Sequence, residues 1–141
     1  MFFIDVSISW RGDRSVKLSV LLIINAVVIL VYAVGALFVP ATMLMMYGMT
    51  PGVGEQLMTR FFGVSMLALG LLSWLVGNSL DASVRRAIIL VFLVSHAAGV
   101  VVSLLGTLSA VMSPLGWQVV AIYLLLCLGF GYFQFANPKS A

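Results

Sequence analysis

The stretch Phe61–Leu80, FFGVSMLALGLLSWLVGNSL, decides the fold: twenty residues carry no charge. At a rise of about 1.5 Å per residue, a helix of that length crosses the ~30 Å hydrocarbon layer of a bilayer. Arg60 precedes it and Asp81 follows it. Within it Gly63, Gly70 and Gly77 recur every seven residues, with Ser73 between the last two. That spacing returns to one helix face and makes a seam bare of side chains. In lipid, such a seam lets a second helix come close, held by packing rather than by exclusion of water. The segment is expected to be the hub of a small membrane bundle.

The rest of the chain agrees in kind. Of its 141 residues 63% are apolar and only 8% charged, against about a quarter charged in a soluble domain. The net charge of +3 does not point to nucleic acid, because the basic residues sit between apolar runs and form no patch. Cys127 is the one cysteine, so no internal disulfide can form and disulfide-exchange chemistry is excluded.

Three further apolar runs flank the hub. Leu18–Val39 is the first span, 22 residues long, against about 7–15 for the core of a signal peptide. It is therefore read as an uncleaved membrane helix, closed by Pro40. Residues 87–112 form the third span and 118–136 the fourth, with Ser113-Pro114-Leu115-Gly116 as the turn between them. Residues 1–17 precede the spans as an interfacial segment, extended or loosely helical, anchored by Trp10. Residues 40–60 form one long, methionine-rich connection at the membrane surface or the bundle mouth, and residues 137–141 are a short tail. In the third span Ser95, Gly99 and Ser103 repeat at four-residue spacing, a second small-residue seam expected to meet the glycine seam of the hub. The expectation is one domain, 18–136, folded as an all-α integral membrane four-helix bundle.

Basic residues orient it. Arg11, Arg14, Lys17, Arg85, Arg86 and Lys139 fall on one side and only Arg60 on the other. The positive-inside bias puts both termini in the cytoplasm and the methionine-rich connection outside.

No Asp, Glu, Lys or Arg sits in the middle of a span, which argues against a proton pump or ion-coupled transporter. Depth counting from the basic ends places Asn25, Ser73, His96 and Cys127 at one level, about 12–15 Å from the cytoplasmic face. These groups either stitch helices together by hydrogen bonds or frame a small site for a polar ligand headgroup. His96 is the only histidine. Its imidazole either bonds within the core or serves as an axial ligand to a haem or chlorophyll-type pigment, with small neighbours leaving room for a flat macrocycle. Met43, Met46 and Met49 recur every three residues. They are either adaptable filler or soft ligands for Cu(I); no other metal site is suggested. Arg60, alone at the mouth of the hub helix, either snorkels to lipid phosphates or holds an anionic group.

The runs Arg60-Phe61-Phe62-Gly63, Leu69-Gly70-Leu71-Leu72 with Trp74, then Arg86, His96-Ala97-Ala98-Gly99 and Gly116-Trp117 make residues 15–136 resemble the small four-helix inner-membrane proteins of bacteria, DoxX-like and related families. The resemblance implies the four-span fold, an inner-membrane location and a link to quinone-dependent sulfur or redox metabolism. No residue here is tied by it to an activity.

Two functions from different classes follow. The first is a non-enzymatic accessory subunit or homo-oligomer in the bilayer, built on the small-residue seams. The second is a module that binds a lipophilic ligand or cofactor (quinone, haem or pigment) through the His96 layer and Arg60. Outward-facing Cu(I) binding is a third. The cofactor itself is not identified by any motif, and no nucleic-acid partner is expected.

Overall fold

The computed structural model describes residues 7–78 and 82–136. Those residues form helices and turns: α1 Ser7–Phe38, α2 Pro40–Met46, α3 Val53–Asn78, α4 Ala82–Leu108 and α5 Gly116–Gly131, the last running on into a π-helical turn Tyr132–Ala136. Four helices are long and apolar enough to cross a membrane, over Leu18–Phe38, Val53–Val76, Ser83–Leu108 and Gly116–Ala136. The chain is a multi-pass, all-α membrane bundle. Helices are the form such runs must take in lipid, where each backbone N–H and C=O needs a partner within its own segment.

The boundaries carry information. α1 reaches back to Ser7, so the described part of the N-terminal segment, 7–17, is helical and continuous with the first span; residues 1–6 and the 137–141 tail lie outside the described residues. The 40–60 connection is mostly helix. Pro40 lacks an N–H and interrupts α1, yet it suits the first turn of α2. Gly48, at φ +81°, then turns the chain; a Cβ there would also press on the Ser113 backbone nitrogen at 3.2 Å. α3 starts at Val53, well before the uncharged run, and takes Glu55 and Arg60 into its first turns.

The bundle is two antiparallel pairs. α3 lies along α1, and α5 lies along α4. The pairs meet through α1 and α5, while α3 and α4 scarcely touch. This corrects the expected arrangement: the α3 seam does not meet the α4 seam, and α3 is not the hub. A Cβ added at Gly63 would sit 3.0 Å from the Ala36 Cβ and 3.2 Å from the Ala33 carbonyl oxygen. One added at Gly70 would sit 2.8 Å from Leu30. α1 thus presents its own small residues, the buried Ala33 and Ala36, to the glycines, and close backbone approach follows. On α4 the Gly99 notch is filled instead by the Tyr123 ring of α5, 2.5 Å from a Cβ placed there. Ser103 bonds back to the Gly99 carbonyl of its own helix at 2.7 Å, and Ser95 is exposed. The surroundings of Gly77 lie outside the described residues.

The core occupies one half of the bundle. Leu18, Leu22, Ile29, Val76, Ile89, Phe92, Leu126, Phe130 and Phe133 form a single buried cluster drawn from all four long helices and the π-helical turn, with Ile29 and Leu126 at its edge on the cavity. It sits at the end where α3 finishes and α4 begins.

A cavity in the opposite half

Beyond that cluster the two pairs separate around a cavity of about 470 Å³. Each long helix changes role along its length. On α1 Leu18 and Leu22 belong to the packed half, Ile29, two turns on, belongs to both the cluster and the cavity wall, and Tyr32 and Ala36, about three and four turns on, line the cavity. On α3, running the other way, Val76 packs while Met66, Phe62 and Thr59 line it. On α4 the change falls at His96, and on α5 at Leu126 and Tyr123. Met43 and Leu44 of α2, with Tyr47, Met49 and Met112, close the far end. That end is tied across the bundle by Ser113, whose backbone N–H donates to the Tyr47 carbonyl and whose Oγ–H donates to the Met46 carbonyl, both at 2.8 Å.

The lining also shows where the cavity opens. Most lining residues are buried or half-buried, but Phe62 of α3 and Ala98 and Val102 of α4 are exposed. The mouth therefore lies between α3 and α4, the neighbours that scarcely touch, and faces sideways toward lipid.

The wall is apolar with a few polar groups, the usual composition of a small-molecule site of ~300–1,000 Å³. Three of the chain's four tyrosines, Tyr32, Tyr47 and Tyr123, reach it. The Tyr47 hydroxyl donates to the Tyr32 oxygen at 3.1 Å. Burial, helped by that bond, pushes the Tyr47 hydroxyl well above its ordinary range, so it stays protonated and donating. Sequence reasoning missed these tyrosines. Their one signal is that Tyr32 follows Asn25 by seven residues and so shares its helix face.

The sequence-derived candidates separate. Asn25 and Ser73, both fully buried, do meet: the Asn25 amide donates to Ser73 Oγ at 3.0 Å, and Ser73 donates to the Leu22 carbonyl at 2.8 Å. The network joins α1 to α3 within the packed half and leaves Asn25 Oδ1 without a partner. His96 does not join it. Its Nδ1–H donates to the Phe92 carbonyl, one turn back, at 2.6 Å. Its ring stands among Phe130 at 5.4 Å, Tyr123 at 5.7 Å and Phe92 at 6.1 Å between centroids. His96 is 4% exposed and forms part of the cavity floor. The room expected beside it for a flat macrocycle is taken at Gly99 by the Tyr123 ring. Cys127 is half-buried and outside the lining, and Arg60 is exposed beside Thr59 without reaching it. Of the methionine trio, Met43 and Met49 line the cavity while Met46 is exposed. Among the described residues no three His, Cys, Asp or Glu side chains cluster as metal ligands would.

No family model matches the chain, and no curated protein or solved structure matches it either.

Proposed function

We propose that this protein holds a slim lipophilic molecule taken from the bilayer, in a bacterial inner membrane with the basic end cytoplasmic and the cavity in the outer half. The observation that supports it most is a 470 Å³ space, apolar but edged by three tyrosines and a histidine, that opens between two membrane helices. The chain leaves this space between the helix pairs in one half, while the other half holds the buried cluster. A binding module needs such a space; a purely structural subunit does not.

The test is mass spectrometry of what co-purifies in mild detergent, for the natural chain and for Val119→Phe, which fills the cavity wall. A lipophile retained near stoichiometrically by the first and depleted at least fivefold in the second supports binding. Identical profiles from two folded proteins overturn it.

Self-association is a second reading, supported by Ser95, Ala97 and Ala98, small and exposed along one stretch of α4. Light scattering of the detergent-solubilised protein tests it, and a monomer at all concentrations overturns it.

A further inference from the structure

The polar groups of the cavity restrict the headgroup it accepts. Among the described residues no Lys, Arg, Asp or Glu lines it, so a charged headgroup would enter without a counter-ion from them, at a large desolvation cost. The Ser103 and Thr59 hydroxyls are both committed to carbonyls of their own helices, Gly99 at 2.7 Å and Glu55 at 2.7 Å. Tyr47 is committed to Tyr32. Two groups remain. A carbonyl only accepts, so the bond to Phe92 fixes the His96 proton on Nδ1; in the neutral ring Nε2 is then a bare acceptor. The second is the Tyr123 hydroxyl, whose ring lies 5.7 Å from that of His96. A guest that only accepts, such as a ketone or ether, leaves Nε2 unpaired. One hydroxyl satisfies both, donating to Nε2 and accepting from Tyr123.

We infer that the cavity selects a neutral lipophile ending in a hydroxyl, an alcohol or phenol on an apolar body, with His96 Nε2 as acceptor and Tyr123 as donor. This rests on the binding role proposed above and specifies its headgroup.

The experiment titrates the detergent-solubilised full chain with 4-nonylphenol, 4-nonylanisole, 4-nonylbenzoate and nonyltrimethylammonium, following intrinsic fluorescence and calorimetric heat. The phenol is expected to bind about tenfold tighter than its methyl ether, the worth of one good hydrogen bond. In His96→Leu the preference should vanish while the ether binds as before. His96→Gln, which keeps an acceptor, should retain part of the preference, and it decides the matter if His96→Leu does not fold. Equal affinity for phenol and ether in the natural chain, or tightest binding of either ion, overturns the headgroup assignment and leaves the binding role standing. If none of the four binds, the binding role falls with it.

Discussion

The two halves of this bundle are made by the same four helices and differ in what lies between them. At one end Leu22, Phe92, Phe130 and their neighbours close the space, and Asn25 and Ser73 tie α1 to α3. At the other the same α1 and α3 remain pressed together, with Gly63 against Ala33 and Ala36, yet a cavity stands between that pair and the next. The hollow therefore does not come from loose helices. Contact within each pair persists along the bundle, and contact between pairs is given up at one end only.

The sharpest way to break this contrast is to truncate one residue in each half. Phe130→Ala, in the packed half, should destabilise by about 3–5 kcal/mol. Val119→Ala, on the cavity wall, should lose under about 1 kcal/mol, since it enlarges a space already present. Unfolding in mixed micelles measures both, and a loss of about 2 kcal/mol or more at Val119, as for a valine buried in a packed core, would mean the halves are packed alike. Next, Gly63→Val tests whether α1 and α3 are tight beside the cavity. Its added methyls meet a backbone carbonyl that cannot swing aside, so a loss of about 1–3 kcal/mol is expected. A neutral result would show that the pair relaxes there.

The buried network should matter less. Ser73→Ala removes the acceptor for the Asn25 amide and should cost about 1 kcal/mol, in the range of interhelical hydrogen bonds in membranes. Combining it with Asn25→Leu should recover part of that loss, because no stranded polar group remains. The smallest effect is at the far end. Ala110 adopts φ 57°, a left-handed conformation that disfavours a Cβ. Ala110→Gly should therefore stabilise by roughly 0.5 kcal/mol, read as a small rise in Tm.

The four spanning helices were legible because uncharged runs of span length admit few other structures in lipid, whereas the short α2 was read as connection. The ends of the spans were less so. Glu55 and Arg60 looked like connection, but charges are tolerated in the end turns of a helix that reaches the headgroups. Periodicity also showed which faces were small without showing what would fill them: Ala33 and Ala36 fill one seam, and the Tyr123 ring fills the other. Depth could be counted along each span, and it correctly levelled Asn25 with Ser73. Rotation about the helix axis could not be counted, and rotation is what turns His96 away from that pair and into the rings of Phe92, Phe130 and Tyr123. The three cavity tyrosines went unread because a tyrosine in an apolar run looks the same whether it anchors at an interface or turns inward.

The sideways mouth between α3 and α4 has a kinetic consequence. Under the proposed binding role, a guest arriving there would come out of the acyl chains, where a greasy compound concentrates far above its level in water. Occupancy in the cell would then follow the mole fraction of the compound in the membrane. A weak intrinsic affinity would suffice, and washing the aqueous phase would empty the site only as fast as the bilayer itself is depleted.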